Sequence, residues 1–382
     1  MKILLVDDEP IVLESLERLL GSLGSDSWQI TCVTSGASAL EVLGSNPIDL
    51  IISDMRMPGM DGAELLAATA ARWPKVARFA LSGEVSQFQA IRAAGVAHQF
   101  LSKPCRSDAM IAALTRIDGL SSGLEAATVR SIISAAPTLP ALPKIYTTLR
   151  DYIADPRVNV RTIVEVIRQD PSIAAKIVQL ATSSFFFRGS TTTDLAGAIG
   201  RLGVPLIARL VLVEGLLAAS AGFPAHLGYA EEARRFFNAS VVAEAVVSSK
   251  MRLEASLAVL LAPVGRAVMI AADPTRVEEA SALAIAEDLS IMEAERRVFG
   301  ACHAAVGGHL LSLWGIAPSV VSAVALQHTP AAFVDGDEVL AAMFLANRDV
   351  RGIALAPELA SATGAQALIR DWDRHTLRQG GN

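Results

Sequence analysis

Asp49-Leu50-Ile51-Ile52-Ser53-Asp54-Met55-Arg56-Met57-Pro58-Gly59-Met60-Asp61-Gly62 decides how the first part of this sequence folds. Residues 49–53 form an apolar run of the kind buried in a parallel sheet, and the run ends in a carboxylate, Asp54. Pro58 and Gly59 turn the chain, and Asp61-Gly62 opens a helical pattern over residues 63–71. An acid at the carboxyl end of a buried parallel strand faces the crevice in which open α/β sheets hold their ligands. Asp54 is therefore the first candidate for chemistry.

Outward from that stretch, strand-like runs recur at residues 2–6, 29–33, 78–81 and 99–101. Helical patterns lie between and after them, at residues 11–23, 37–44, 86–94 and 108–117. This alternation predicts a doubly wound, five-stranded parallel sheet over residues 1–118. The polar residues that end the strands then collect on one edge: Asp7 and Asp8, Asp54, Ser82 and Lys103. Carboxylates held together repel one another and so favour a hard divalent cation such as Mg²⁺. A carboxylate can also act as the nucleophile that accepts a phosphoryl group. An ammonium and a hydroxyl nearby can hold the phosphoryl oxygens. A helix cap would explain Asp7-Asp8, and an ordinary turn would explain Lys103-Pro104, but neither explains all five groups at once.

Four segments carry a family resemblance: Val6-Asp7-Asp8-Glu9-Pro10, Asp54 with Met57-Pro58-Gly59-Met60-Asp61-Gly62, Ala80-Leu81-Ser82-Gly83, and Phe100-Leu101-Ser102-Lys103-Pro104. On these, residues 1–118 resemble the receiver domain of two-component response regulators, a flavodoxin-like fold. The resemblance implies that Asp54 is the phosphoacceptor and that a sensor histidine kinase supplies the phosphate. It implies that Asp7, Asp8, Asp54 and the Arg56 backbone carbonyl bind Mg²⁺. It gives Lys103 the phosphate contact, Ser82 the switch hydroxyl and Phe100 the aromatic switch position, where the family more often has Tyr.

The pattern changes further along. Residues 119–136 read as a break followed by a connecting helix at 124–134. From residue 137 helical runs follow one another: 141–154, 160–168, 171–183, 193–201, 204–220, 229–249, 254–272, 277–287, 290–299, 301–313, 318–328 and 337–349. Residues 336–382 read as a helical extension that becomes a frayed polar tail from residue 371. Further motifs are Leu139-Pro140-Ala141-Leu142-Pro143, Gln169-Asp170-Pro171-Ser172, Leu180-Ala181-Thr182-Ser183-Ser184-Phe185, Ala198-Ile199-Gly200-Arg201-Leu202-Gly203 and Glu295-Arg296-Arg297-Val298-Phe299-Gly300 with His303. On these, residues 137–335 resemble the HDOD domain, an all-helical output module related to HD phosphohydrolases. The His-Asp pair that defines those enzymes would fall in Leu260-Leu261-Ala262-Pro263-Val264-Gly265, and an earlier ligand histidine near Asn238-Ala239-Ser240. Neither segment holds an imidazole or a carboxylate, which a catalytic metal site needs.

The resulting expectation is a response regulator whose helical half is catalytically silent and acts on a downstream protein, with homodimerisation as a further expectation from the resemblance. A receiver-controlled HD-type phosphohydrolase acting on a cyclic dinucleotide is the alternative, and the missing ligands argue against it. A nucleotide- or nucleic-acid-binding adaptor is a third reading, opposed by a net charge of −6. His303 and His309 are six apart and fall on different helix faces, so each reads as a packed histidine with a backbone partner, as does His328; His98 and His226 are isolated. Phe185-Phe186-Phe187 reads as core packing or a partner surface.

The 382 residues are 52% hydrophobic, which raises the question of a membrane span. The two most apolar stretches, 206–221 and 255–272, are broken by charges or by Pro263 and Gly265, so buried helices are expected rather than insertion. The three cysteines, Cys32, Cys105 and Cys302, form no paired spacing, which fits a reducing cytoplasm.

Overall fold

The computed structural model of the chain describes residues 1–23, 28–82, 96–103, 110, 114, 124–136, 160–168, 199–200, 203–204, 207–208, 211, 220, 222–355, 357–363 and 365–380. The chain forms two compact units, Met1–Ala141 with Val264–His328, and Leu142–Pro263 with Thr329–Asn382.

In the first unit, β1 (Lys2–Val6), β2 (Gln29–Val33), β3 (Leu50–Asp54), β4 (Ala77–Ser82) and β5 (Gln99–Ser102) make one sheet in the order β2-β1-β3-β4-β5. Every pairing is parallel. The described helices among them are α1 (Pro10–Leu23), α2 (Gly36–Ser45) and α3 (Gly62–Arg72). Alternate strand residues feed two cores. Ile3, Leu5, Ile52 and Phe79 pack with Leu13, Leu16 and Leu20 of α1. Leu4, Val6, Ile51 and Ala80 pack with Ala39 and Leu43 of α2 and Leu65 and Leu66 of α3. Both faces of β3 are thus covered, which is why its sequence is apolar without alternation. β2 lies at the edge, with Gln29 and Thr31 exposed. From β1 the chain steps to β2 on one side and then returns to β3 on the other. That reversal opens a crevice at the carboxyl ends of β1 and β3.

The later helices are α4 (Leu124–Ala135), α5 (Val160–Arg168), α6 (Tyr229–Val246), α7 (Arg252–Leu261), α8 (Val264–Ala272), α9 (Pro274–Ala286), α10 (Ile291–Phe299), α11 (His303–Leu313), α12 (Pro318–Ala325), α13 (Glu338–Arg351), α14 (Pro357–Ser361) and α15 (Ala365–Gly380). Their ends follow local chemistry. Asp273 caps α9 ahead of Pro274, a Ser290–Glu293 capping box opens α10, and Gly300, at φ +79°, ends it. In the first unit α4, expected only to connect, packs against α8 and α11 and buries Val129, Ile132 and Ile133. α8 and α11 cross with backbones in contact. A Cβ on Gly265 would collide with the His303 carbonyl oxygen and lie 2.6 Å from the Gly307 nitrogen.

In the second unit α6, α7, α13 and α15 pack together. The Ser256 hydroxyl donates to the Ser240 carbonyl at 2.8 Å, joining α7 to α6. The Arg351 guanidinium stacks over the Phe236 ring and pairs with Glu232 at 2.8 Å.

Two expectations are corrected. Residues 254–272 are not one helix: the chain turns at Ala262-Pro263. Proline has no N–H to continue the ladder, and the Ala262 N–H reaches back to Val259 as the turn tightens. By length and composition alone Arg252–Ala272 could cross a membrane, but 78% of its most apolar window is buried in the protein. The polar tail from residue 371 is helical to Gly380. Leu368 and Trp372 recur at helical spacing and both are buried, and the Trp372 indole N–H donates to Asp349 at 2.8 Å. The helices expected at 86–94, 141–154 and 171–183, most of 108–117, 193–201 and 204–220, Cys105 and Phe185-Phe186-Phe187 lie outside the described residues.

Replacing Gly265 by Ala should lower stability by about 1–3 kcal/mol, because a methyl must be forced between two backbones; a denaturant midpoint matching the wild type would refute the close crossing. Burial, and then the Arg130 charge, push the His309 imidazole down to about 4 from its ordinary 6.5. The unfolded chain then binds the proton that the folded chain refuses. Stability is full above about pH 6.5 and declines as the pH falls from 6.5 towards 4. His309→Phe should flatten that decline in melting temperature, and an unchanged slope would show that His309 does not contribute.

Candidate functional site

The end of β1 and the end of β3 are hydrogen-bonding neighbours in register, Val6 opposite Ser53. The next residues, Asp7 and Asp54, therefore emerge side by side in the crevice. Asp7 is fully buried, Asp54 nearly so and Asp8 half-buried. Carboxylate oxygens of all three lie within 4.8 Å of one another. Each buried acid is oriented by the backbone just after it. The Glu9 N–H donates to Asp7 Oδ1 at 3.0 Å, and the Arg56 N–H donates to Asp54 Oδ2 at 3.0 Å.

The loop after Asp54 is held by its own packing. Asp61 and Glu64 form a reciprocal capping box that starts α3. Gly62 lies so close to the Asp54 carbonyl that any Cβ would overlap it. Gly59, at φ +78°, supplies the left-handed residue of the turn.

Lys103 comes directly after β5 and reaches across to both acids. Its Nζ lies 2.5 Å from Asp7 Oδ2 and 2.8 Å from Asp54 Oδ1. Burial alone would lower the ammonium, but the hydrogen bonds it donates to Asp54 and Asp7 more than reverse this and hold it above its ordinary value. Three carboxylates and one ammonium leave the cluster at −2. An oxygen-lined site of that charge suits a small hard cation.

Ser82 ends β4, one position beyond the Leu81 that pairs with Asp54, and Phe100 lies in β5 opposite Ala80. Their strands put both near the crevice; their side chains and Pro104 lie outside the described residues. The Arg56 side chain is exposed, and its N–H is committed to Asp54.

The helical segments give a different picture. Leu260, Leu261 and Ala262 are buried and apolar. The Ser240 hydroxyl donates to the Phe237 carbonyl at 2.6 Å. Among the described residues, Asp7, Asp8 and Asp54 are the one group of three or more acids, histidines or cysteines placed to hold a metal.

The histidines are more engaged than the sequence suggests. His303 is buried at the start of α11, and its partner is a carboxylate and not only backbone. Its Nδ1 is 2.7 Å from Glu295 Oε2, and its N–H donates to the same oxygen at 2.8 Å. Its Nε2 lies 2.9 Å from the Nε2 of His328, with the rings nearly perpendicular at 81°. One of those two nitrogens must carry the proton. His98 is not isolated: its Nδ1 accepts from the Arg78 N–H at 3.0 Å, and its Nε2 is 3.0 Å from Arg78 Nη2. Burial first, then Arg78 and His309, hold the His98 imidazole well below its ordinary range. Glu295, His303 and His328 come from separate elements, so no helical spacing could have joined them.

Comparison with known proteins finds two families along the chain. The family model described as response regulator receiver domain matches residues 3–115, and the model described as HDOD domain matches residues 139–330. The positive alginate biosynthesis regulatory protein of Pseudomonas aeruginosa is 32% identical over 117 residues, which are 30% of this chain and 46% of that protein. The chain thus matches less than half the length of that relative. An HDOD domain protein from Geobacter sulfurreducens superimposes with a TM-score of 0.54 at 16% identity, over 66% of this chain and 94% of that one. A candidate phosphohydrolase from Shewanella amazonensis superimposes at 0.52 with 21% identity, over 69% and 96%. At those identities the two structures attest the fold. With the HDOD match reaching from residue 139 to 330 and a response regulator receiver domain ahead of it, the chain belongs to the HDOD domain family.

Proposed function

We propose that the protein is a two-component response regulator in which Asp54 accepts phosphate and its state controls a non-catalytic helical output. The observation that carries this reading is Lys103, bridging Asp54 and Asp7 beside Asp8 at the mouth of the sheet crevice. The donor set fits Mg²⁺: Asp7, Asp8, Asp54 and the Arg56 carbonyl would hold it. When bound, the ion neutralises charge on the phosphoryl oxygens. Asp54 attacks the phosphorus of a kinase phosphohistidine, the P–N bond breaks, and the phosphoryl group stays on an Asp54 oxygen. Lys103 then exchanges a carboxylate oxygen for a phosphoryl oxygen, and Ser82 donates from the end of β4. The change in packing around Phe100 passes the signal on.

The output reading rests on the apolar Leu260-Leu261-Ala262 segment and on Ser240, which keeps its hydroxyl on its own helix. With no imidazole or carboxylate at those positions, the HDOD domain acts by contact with a downstream protein or a second copy. The chain works in the cytoplasm with a sensor histidine kinase, without membrane insertion and without nucleic acid. Residues 1–118 form the receiver, 119–136 the connection, 137–335 the HDOD domain and 336–382 a helical extension.

With acetyl phosphate and Mg²⁺ the wild type should incorporate close to one phosphate and Asp54→Asn none. Equal incorporation by the two would move the site elsewhere. Metal analysis of an Asp7→Asn, Asp54→Asn protein should find no stoichiometric Fe, Mn or Zn; one retained equivalent would favour the phosphohydrolase reading.

A further inference from the structure

Ser53 puts a hydroxyl among apolar neighbours. It is fully buried in β3, and in register it lies between Val6 of β1 and Ala80 of β4. A buried hydroxyl without a partner is costly, so the partner this one takes is informative. It donates to the carbonyl of the next residue, Asp54, at 2.8 Å. The pairing of β1 with β3 stops at Val6 opposite Ser53, so that carbonyl lies just beyond the last pair. Gly62, the first residue of α3, closes against it so tightly that a Cβ there would overlap the oxygen. The Gly62 N–H is used elsewhere, donating to the Met55 carbonyl at 3.3 Å.

The same peptide is held at its other side. The Met55 N–H donates to the Leu81 carbonyl at 3.2 Å, and that carbonyl belongs to the peptide of Ser82. A line of hydrogen bonds therefore runs from the Ser53 hydroxyl through the Asp54–Met55 peptide to the Leu81–Ser82 peptide, and each dipole polarises the next. With the peptide plane fixed, the backbone that carries the Asp54 side chain is fixed too. One carboxylate oxygen then meets the Arg56 N–H at 3.0 Å and the other meets Lys103 at 2.8 Å. Without the Ser53 hydroxyl, the Asp54 carbonyl would stay enclosed beside Gly62 with its donor gone, and the peptide would turn to find another. Asp54 would turn with it.

We propose that Ser53 is a positioning residue for the phosphorylation of Asp54: its hydroxyl fixes the Asp54–Met55 peptide and so aims the carboxylate at the incoming phosphorus. This rests on Asp54 being the phosphoacceptor. Ser53 touches no phosphate and acts through Asp54. With acetyl phosphate, an Asp54 oxygen forms the new P–O bond, the P–O bond to the acetyl group breaks, and acetate leaves with the electron pair. The attacking oxygen must lie in line behind the phosphorus. An error of aim therefore slows the step without weakening capture of the phosphate, which falls to Lys103 and Ser82.

Initial rates of phosphate incorporation by the full-length chain, at saturating Mg²⁺ and increasing acetyl phosphate, test this. Ser53→Ala should lower the limiting rate by about tenfold or more and leave the half-saturating concentration within about twofold. Its Met55 amide should exchange with solvent about tenfold faster. Ser53→Thr keeps the hydroxyl on a side chain that strands favour and should hold both near the wild type. Thr69→Val removes a second fully buried hydroxyl of the same sheet-and-helix domain, one that donates to the Leu65 carbonyl within α3, and should also leave both unchanged. A Ser53→Ala limiting rate equal to the wild type overturns the proposal and leaves Asp54 in place. So does an equal loss in Thr69→Val, which would mark general destabilisation, and so does a folded Ser53→Thr protein as slow as Ser53→Ala. If the wild type takes up no phosphate, or Asp54→Asn takes up as much, Asp54 itself fails and Ser53 has nothing to position.

Discussion

The Lys103 ammonium between Asp7 and Asp54 is the contact on which the arrangement of the receiver depends. Two buried carboxylates with a third beside them cannot be left uncompensated; each would resist desolvation and repel the others. The sheet provides the balancing charge by bringing the end of β5 to the ends of β1 and β3. The price is specificity of register. Asp54 follows Ser53, which sits opposite Ala80, and a slip of one residue would turn Asp54 into the core and Ser53 into the crevice. The apolar runs of β1 and β3 hold that register, and Gly62 lets the following helix start against the Asp54 carbonyl. Core packing and the placing of the acid cluster are thus two demands met by the same few residues.

The helical segments depend on close approach more than on charge. Gly265 and Gly307 let α8 and α11 touch backbone to backbone, and α4 closes over them. At the start of α11, His303 hands its ring to Glu295 and His328, which fixes that end. The helix runs from that buried polar chain to the buried Leu313.

What could be read from the sequence follows the range of the interactions. The strands and the acid cluster were legible because a buried parallel strand leaves a continuous apolar run, and its terminal polar residue must face the crevice. Helix ends such as Asp273-Pro274, Ser290 to Glu293 and Gly300 were legible because caps are local. The turn at Ala262-Pro263 is harder to read, since the apolar pattern continues across it and only Pro263, with its missing N–H, marks the break. Residues 371–376 look polar because a single tryptophan, Trp372, is the buried residue among them. The Arg78–His98 and Glu295–His303–His328 contacts join residues 20, 8 and 25 positions apart from different elements, and no periodicity records such meetings.

The first unit is discontinuous in the chain: it is left at Ala141 and resumed at Val264. This sets an order on folding during synthesis. The receiver strands can pair as soon as they leave the ribosome, but Val129, Ile132 and Ile133 of α4 have no α8 or α11 to cover them until roughly 120 more residues have been made. At about 5–20 residues per second, that apolar face waits on the order of 6–24 s in solvent. That face of α4 is thus open to chaperones and to wrong partners while the protein is being made.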